Sequence, residues 1–307
     1  MSTWVVGSLN VDLVVQVEQF PNPGETLRGT SFSTFLGGKG GNQAMALARL
    51  NAKPRVVGRV GSDDFGTRYR SALVETGADV SRVRTVNDQP TGTALIEVDP
   101  TGQNRIVVVP GANGRMDRDT VLEDLAEVTA GDVVLLQLEV PLDTVWAVAE
   151  HCHTSGATVI LDPAPAAEIP ERALPHISWI TPNEHEASVI TGIDTSSNDG
   201  LERACASLLE SGVEHVVVKA GSRGAVYASK EQPTPRLVPG YRVDVVDTTA
   251  AGDSFNGGLA WALVERRPPE IAVRTGNATA AISVTGMGAQ TAMPDAGAVL
   301  SLLENDR

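Results

Sequence analysis

Short apolar runs alternate along the chain with segments whose apolar residues recur at helical spacing. Runs of four to eight apolar residues are typical of strands buried on both faces, and the longer segments between them are typical of crossover helices. The predicted core strands are Trp4–Leu9, Arg55–Val60, Asp132–Leu138, Thr158–Asp162, Trp179–Thr181 and His215–Lys219. The predicted helices are Asn42–Leu50, Thr67–Thr76, Leu142–His153 and Leu201–Ser211. This order predicts an α/β fold with a doubly wound, mainly parallel sheet flanked by helices.

Two regions break this rhythm, because apolar and polar residues alternate in them with no helix between. They are Asp12–Phe35 and Thr91–Val109, and the second predicts a hairpin that turns at Asp99–Gly102. We expect these strands to form a small separate sheet that acts as a lid. The sequence shows no repeat or linker, so we expect one domain over residues 1–307 with lid strands from about 12–35 and 91–109.

Composition and charge narrow the classes of ligand. With 24 basic and 38 acidic residues, the formal net charge is −14, which disfavours broad attraction to nucleic acid or an anionic membrane. Any anionic ligand must therefore be held by local donors. The two cysteines, Cys152 and Cys205, are too few for a disulfide scaffold, and the first residues lack the pattern of a signal peptide. These features predict a cytoplasmic protein.

The most informative segment lies near the C-terminus. A β-like run over Val243–Asp247 is followed by small residues and by a helix predicted to begin near Asp253. The unpaired N–H groups of Ala251, Gly252 and Asp253 at this helix start could bind an anion, and the Asp253 carboxylate could accept a proton from an attacking hydroxyl. The alternative is an ordinary first-turn aspartate with small residues that pack tightly.

Two further segments carry polar groups at predicted strand ends. Phe35–Arg49 contains a glycine-rich loop that opens a helix and fits neither a Walker A loop nor a dinucleotide fingerprint. Lys39 and Asn42 in it would point polar groups into a pocket, unless the loop is only a flexible turn. Asn10 and Asp12 alternate to one face after the first strand, which suits sugar hydroxyls but is also common turn chemistry.

Three more groups complete the candidates. Glu139 follows a strand and could reach ligand hydroxyls, and Asn183 with Glu186 could serve Mg²⁺ through water or simply stabilise a helix start. The segment Val218–Tyr227 reads as strand, glycine turn and strand, whose N–H groups could hold a nucleotide or form a plain hairpin. The segment Glu150–His153 is rejected as a metal site, because His151 and His153 diverge on a helix.

Taken in order, these motifs resemble the PfkB carbohydrate kinase family and, within it, the ribokinase branch. The motifs are Asn10-x-Asp12, Gly37-Gly-Lys-Gly-Gly-Asn-Gln-Ala44, Gln137-Leu-Glu139, Thr181-Pro-Asn-Glu184, Gly221-Ser-Arg-Gly224 and Asp247-Thr-Thr-Ala-Ala-Gly-Asp-Ser-Phe-Asn-Gly257. The resemblance covers nearly the whole chain. It implies a ribokinase-like fold and phosphoryl transfer from ATP to the 5-hydroxyl of D-ribose.

The resemblance also implies a role for individual residues. Asp253 would be the general base, beside an anion hole formed by the backbone of Ala250, Ala251, Gly252 and Asp253. The sugar would be held by Asn10, Asp12, Gly38, Lys39, Asn42, Glu139 and Asp253. The ATP side would be lined by Asn183, Glu186, Lys219, Ala220, Gly221, Ser222, Arg223, Gly224, Gly252 and Asn277, with Glu186 holding Mg²⁺ through water. A monovalent cation, K⁺, would lie near Asp247, Thr249, Ser283, Gly286 and Gly288. A homodimer paired through the lid strands is the family expectation.

Three positions depart from the family pattern. Asn277 stands where histidine is frequent, Thr249 where some members have isoleucine, and Ala292 where a serine hydroxyl can approach the cation. The last departure predicts a weaker K⁺ requirement. Two alternatives stay open: a kinase of another sugar or nucleoside, such as 2-deoxyribose, fructose or adenosine, and a catalytically silent sugar sensor. An oxidoreductase is disfavoured, because the dinucleotide fingerprint is missing.

Overall fold

A computed structural model describes residues 1–305 of the chain. The strands are β1 (Thr3–Val6), β2 (Asn10–Val17), β3 (Gly29–Gly37), β4 (Arg55–Gly61), β5 (Asp79–Val86), β6 (Gly92–Val98), β7 (Asn104–Val109), β8 (Val133–Leu136), β9 (Thr158–Leu161), β10 (Trp179–Ile180), β11 (His215–Lys219), β12 (Gly224–Ser229) and β13 (Arg236–Pro239). The helices are α1 (Lys39–Arg49), α2 (Asp64–Glu75), α3 (Arg118–Asp124), α4 (Leu142–Thr154), α5 (Glu184–Thr191), α6 (Asn198–Glu210), α7 (Ala251–Val264), α8 (Pro269–Ser283) and α9 (Ala296–Asn305).

The large sheet has the order β13-β12-β11-β10-β9-β8-β1-β4-β5. From β5 to β11 every neighbouring pair is parallel, and β12 and β13 add an antiparallel edge. The central strands are buried on both faces, as their unbroken apolar runs predict. The predicted α/β class and all six predicted core strands are confirmed. Strands β5 and β13, at the two edges of this sheet, were not among the predicted ones.

A second sheet of four strands has the order β3-β2-β6-β7. Strand β2 pairs antiparallel with β3 and parallel with β6, and β6 and β7 form a hairpin. Its turn closes where predicted, because the Gly102 N–H donates to the Asp99 carbonyl oxygen at 3.0 Å. The predicted small sheet is therefore confirmed. Strand β7 is exposed along its whole length.

Helix α1 crosses the first strand very closely, and glycine makes this possible. A β-carbon on Gly40 would lie 2.6 Å from the backbone carbon of Gly7, and one on Gly257 of α7 would lie 2.5 Å from the Ala46 side chain. At Gly40 the α1 backbone lies against the backbone of Gly7, and at Gly257 helix α7 lies against α1, so neither position has room for a side chain. They bring the first turns of α1 and α7 to the same edge of the large sheet.

The structure corrects the predicted β-like run over Val243–Asp247. This segment joins no sheet, and the side chains of Val245 and Val246 are exposed. The N–H groups of Val246 and Asp247 donate instead to the carbonyl oxygen of Val284, just after α8, at 2.8 and 3.2 Å. Apolar spacing suggested a strand, but the segment lies beyond the sheet edge with no strand beside it. Among residues 1–305, every helix falls short of the length and apolar character needed to cross a membrane.

Candidate active site

The carboxyl ends of the parallel strands meet at one edge of the large sheet, where open α/β sheets bind their ligands. Residues after β1, β8, β9 and β11 lie at this edge together with the first turns of α1 and α7. The Glu139 carboxylate that follows β8 accepts a hydrogen bond from the Lys39 N–H at 2.9 Å, and it also accepts one from the Ser8 hydroxyl. Segments distant in sequence are therefore joined by direct polar contacts.

Asp253 occupies the centre of this edge. Its side chain is 5% exposed, and its two carboxylate oxygens accept from Asn42 Nδ2 at 2.9 Å and from Gln43 Nε2 at 3.2 Å. Burial raises the pKa of Asp253 to about 6, against the opposing effect of the nearby Lys39 ammonium. Such a carboxylate is held in one orientation and is poised to exchange a proton near neutral pH.

The start of α7 presents backbone donors beside this carboxylate. Ala250 takes a left-handed conformation, with φ of 59°, and no side chain caps the helix. The prediction that Ala251 offers a free donor is wrong, because its N–H donates to the Thr248 carbonyl oxygen at 3.2 Å and closes the preceding turn. The N–H groups of Gly252 and Asp253 in the first turn lack intrahelical acceptors, and the helix dipole makes this end positive. Two backbone donors and a positive helix end are suited to an anion.

The residues predicted for the sugar side surround the same carboxylate. Asn10 accepts from Asn113 Nδ2 at 2.7 Å, and Asn42 bonds Asp253 directly. Asp12 lies against the backbone of Gly37, where a β-carbon would come within 2.2 Å of its carboxylate. Gly38, with φ of 79°, turns the chain from β3 into α1 next to the backbone of Asn10. The structure therefore brings Asn10, Asp12, Gly38, Lys39, Asn42, Glu139 and Asp253 into one cluster.

Charge is concentrated in this cluster. Burial raises the pKa of Asp12 to about 7, and Glu139 and Asp253 add to the effect. Burial alone would lower the pKa of the Lys39 ammonium, but Asp253, Asp162, Glu139 and Glu186 together raise it above its usual value. Lys39 thus stays protonated among carboxylates that would otherwise repel one another. The geometry offers carboxylate acceptors for hydroxyl groups around one fixed cation.

The residues predicted for the nucleotide lie on the other side of the α7 start. Asn183 and Glu186 form a capping box at the start of α5, with the Glu186 N–H donating to Asn183 Oδ1 at 2.8 Å and the Asn183 N–H to Glu186 Oε2 at 2.7 Å. Burial raises the pKa of Glu186, which faces Lys219 and Asp162. The helix-start alternative for this pair is therefore realised, while the carboxylate still faces the charged cluster.

The turn between β11 and β12 contains Ala220, Gly221, Ser222, Arg223 and Gly224. It is the predicted hairpin, and Arg223 forms an ion pair with Glu184 at the start of α5. Asn277 of α8 donates through Nδ2 to the carbonyl oxygens of Val238 and Pro239, each at 3.1 Å. Its amide nitrogen therefore holds the end of β13, which leaves its carbonyl oxygen for other contacts.

The loops predicted for a monovalent cation are joined to each other. Asp247 accepts from the N–H and hydroxyl of Thr249 at 2.9 and 2.6 Å and from the Gly288 N–H at 2.9 Å. The Ser283 hydroxyl donates to its own helix, at the Ala280 carbonyl oxygen. Gly286 packs against Ala292, since a β-carbon there would lie 3.0 Å from that side chain. The predicted residues thus share one region next to the start of α7.

Several polar residues of the active site, among them Asn113, Gln290, Gln43 and Asp162, were not predicted as site residues. Asn113 and Gln290 come from loops remote in sequence, and they bond Asn10 and Asn42. Gln43 and Asp162 are buried and belong to the network around Asp253. Their signals were weak: Gln43 stands beside Asn42 in the glycine-rich motif, and Asp162 is the polar last residue of a predicted apolar strand.

An α/β sheet with a carboxylate and free backbone donors at a helix start is the arrangement of a phosphoryl-transferring enzyme of the small-molecule kinase class. Comparison with known proteins agrees. A model described as pfkB family carbohydrate kinase matches residues 2–296. The chain belongs to this family, and it is an ATP-dependent sugar kinase.

Individual relatives cover almost the whole chain. It is 39% identical to a ribokinase of Haemophilus influenzae over 98% of each chain, and 36% identical to a deoxyribokinase of Salmonella typhimurium over 96% of each. Its structure is similar to that of an Arabidopsis thaliana ribokinase complexed with ribose and ATP, with a TM-score of 0.93 and 37% identity, covering 99% of this chain and 98% of that one.

Proposed function

We propose that this protein transfers the γ-phosphoryl group of ATP to the 5-hydroxyl of D-ribose, with Asp253 as the general base. The observation that carries the proposal is the buried Asp253 carboxylate beside the free N–H groups of the α7 start. It lies within a cluster of carboxylate and amide side chains that can accept hydrogen bonds from sugar hydroxyls. Relatives named ribokinase, 39% and 37% identical over nearly the full length, support ribose as the acceptor.

The proposed roles follow from position. Asn10, Asp12, Gly38, Lys39, Asn42 and Glu139 hold the sugar, so that one hydroxyl lies against Asp253. The Asp253 carboxylate takes the proton of that hydroxyl as the hydroxyl oxygen attacks the γ-phosphorus and the bond from this phosphorus to the oxygen of the departing ADP breaks. Asn42 and Gln43 keep the carboxylate oriented. The N–H groups of Gly252 and Asp253 stabilise the charge that develops on the transferred group. With its net charge of −14, the protein would handle ATP through such local dipoles.

For the nucleotide, we propose the side formed by Asn183, Glu186, Lys219–Gly224, Gly252 and Asn277. The donor set fits a triphosphate, because the Lys219 ammonium and the helix start both face this side. Glu186 is the carboxylate proposed to hold Mg²⁺ through water, using the lone pairs left on its oxygens by the hydrogen bonds from Asn183, as that ion prefers oxygen ligands and retains water. Bound Mg²⁺ would supply charge neutralisation of the phosphates. Lys219 and the α7 backbone hold the remaining charge.

A monovalent cation is proposed near Asp247, Thr249, Ser283, Gly286 and Gly288. The region supplies the Asp247 carboxylate, whose oxygen type suits a monovalent cation, although Asp247 is already bonded by Thr249 and Gly288. Ala292 offers no hydroxyl, so we expect modest activation. Initial rates in K⁺ and in tetramethylammonium, which is too large for such a site, at equal ionic strength test this, and equal rates would refute it.

We propose that the chain is one domain over residues 1–307 whose four-stranded sheet is a lid over the sugar, excluding water when it closes. The exposed strand β7 carries Ile106, Val107, Val108 and Val109, which are 44–61% exposed. An edge strand with this apolar row is suited to pairing with a second copy, so we propose a homodimer through the lid strands. A cytoplasmic location is proposed as well, because both cysteines are free.

The test is ADP release by the purified protein with ATP and Mg²⁺ over D-ribose, 2-deoxyribose, fructose and adenosine. Strong turnover with ribose is expected. The similarity to a deoxyribokinase makes 2-deoxyribose the second candidate acceptor, and a higher kcat/KM for that sugar would replace ribose in the proposal. Turnover with none of the four, while ribose still binds in calorimetry, would favour a silent sugar sensor.

A further inference from the structure

A continuous chain of polar contacts leads from the nucleotide side to the base. The Lys219 ammonium donates to Asp162 Oδ1 at 2.9 Å, and the two side chains are 13% and 2% exposed. Gln43 Nε2 donates to Asp162 Oδ2 at 3.0 Å and to Asp253 Oδ1 at 3.2 Å. The roles above use Lys219 and Asp253 but give no task to Asp162.

The orientation of Gln43 is fixed from its other end. Its Oε1 accepts from Gln137 Nε2 at 2.7 Å, and both glutamines are fully buried. Each hydrogen of the Gln43 amide therefore points to one carboxylate, either Asp162 or Asp253. Because an unsatisfied amide hydrogen in this position would be costly, the two carboxylates are held at a fixed separation.

Lys219 connects this chain to the place where phosphate would bind. Its Nζ lies 3.1 Å from the position that a β-carbon on Gly252 would occupy. The ammonium therefore lies over the first turn of α7, beside the free N–H groups. A buried ion pair adds little net stability, because desolvation offsets the attraction, so its location at the site is better explained by function than by folding.

We propose that Asp162 and Gln43 are positioning residues: Asp162 holds the Lys219 ammonium over the α7 start, and Gln43 ties the same carboxylate to the base, so that the two charges of the ion pair set the charge state of Asp253. This inference rests on the proposed function, and it names residues that act through Asp253 and the phosphate rather than on the sugar.

Several other charged groups face Asp253, and they must stay constant in any test. They are Lys39 on α1, Asp12 on β2 and Glu139 after β8, whereas Asp162 after β9 and its partner Lys219 at the end of β11 are the two charges that the test removes. Burial and Asp162 raise the pKa of Asp253, whereas Lys39 lowers it. Removal of either charge of the ion pair should therefore move the Asp253 titration, and the direction should depend on which charge is removed.

The experiment compares Asp162→Asn, Lys219→Met and the double variant with the wild type. The readout is the acid limb of kcat/KM for ribose against pH, at saturating ATP. Asp162→Asn is expected to shift this limb to lower pH, and Lys219→Met to higher pH, each by about one pH unit, the scale on which one nearby charge acts. The double variant should return close to the wild-type limb, because the two charges are lost together.

A second readout needs no turnover. The ¹³C shift of the Asp253 carboxyl, assigned by its loss in Asp253→Asn, should titrate with the same opposite displacements. If the wild type phosphorylates no sugar, the proposed function fails, yet this titration still decides the inference. Should Asp162→Asn fail to fold, the upward displacement in Lys219→Met decides it alone.

A matched control is Asp124→Asn, which breaks another buried ion pair, with Arg59, whose side chains are 6% and 3% exposed. In the described part of the chain Asp124 bonds Arg59 and Arg84, which lie outside the site, so this variant should lose stability without moving the limb. Displacements in the same direction for both site variants, or below about 0.2 pH unit in each, would overturn the proposal.

Discussion

Replacement of Asp253 by Asn separates the chemical role of this residue from its packing. The two side chains have nearly the same volume, so the close contacts of α7 with α1 are preserved. The amide cannot accept a proton from the sugar hydroxyl, however. It also presents an NH₂ group to a partner that already donates, either Asn42 or Gln43, so one of these two hydrogen bonds is lost.

The expected losses in kcat and in stability follow from these two changes. A positioned general base contributes about 10²–10⁴-fold, which corresponds to about 3–5 kcal/mol of transition-state stabilisation. The donor–donor conflict adds about 1–3 kcal/mol of destabilisation in a side chain that is only 5% exposed. The KM for ATP should change less than threefold or so, because the backbone N–H groups of Gly252 and Asp253 remain.

The assay is ADP release at saturating ribose and ATP, with a thermal melt of each protein. Asp199→Asn is the matched control, since Asp199 is exposed on α6 and its partner among residues 1–305 is Arg203, an exposed residue of the same helix. The control should retain wild-type turnover. If Asp253→Asn keeps a kcat within about fivefold of the wild type while the melt shows a folded protein, Asp253 is not the base and the proposed mechanism is refuted.

Three further predictions concern stability and assembly. The native pKa of Asp12, about 7, exceeds its ordinary value of 3.8, so the native state binds this proton more tightly than the unfolded state. The contribution of Asp12 to the free energy of unfolding therefore falls as pH rises from about 4 to about 7. Asp12→Asn should therefore be more stable than the wild type at pH 8, by about 2–4 kcal/mol at most, and this difference should vanish near pH 4. Urea unfolding at both pH values checks this, and an equal difference in the free energy of unfolding at both would contradict it. Gly40→Ala should lower stability by about 2–4 kcal/mol, because its β-carbon would meet the Gly7 backbone at 2.6 Å, whereas Gly297→Ala in α9 should raise it by up to about 1 kcal/mol. Equal melting temperatures for the two glycine variants would show that α1 does not depend on that close approach. Val107→Asp places a charge on the exposed face of β7 and should convert the proposed dimer to a monomer in analytical ultracentrifugation; a wild type that sediments as a monomer would refute the dimer itself.

The sequence by itself determined the order of the elements and the class of the fold. Short unbroken apolar runs such as Val133–Leu136 are typical of strands covered on both faces, and the helical spacing between them indicates crossover helices, which favours a parallel sheet. The alternation over residues 91–109 fixed a hairpin outside that sheet, with its turn at the predicted residues. Most of the candidate site residues could also be predicted from the sequence, because glycine turns and polar residues at strand ends mark the ligand edge of such sheets.

Only the tertiary structure decided how those residues act on one another. The apolar spacing of Val243–Asp247 suggested a strand, but no strand lies beside it, so its N–H groups bond the Val284 carbonyl oxygen instead. The sequence predicts that the Ala251 N–H is a free donor, but in the folded chain it donates to the Thr248 carbonyl oxygen. Gln43 and Asp162 are 119 positions apart in the sequence and touch because α1 begins at the edge of the sheet where β9 ends. Local patterns encode burial and turns, whereas the charge state of Asp253 depends on groups from four separate segments that only the folded chain brings together.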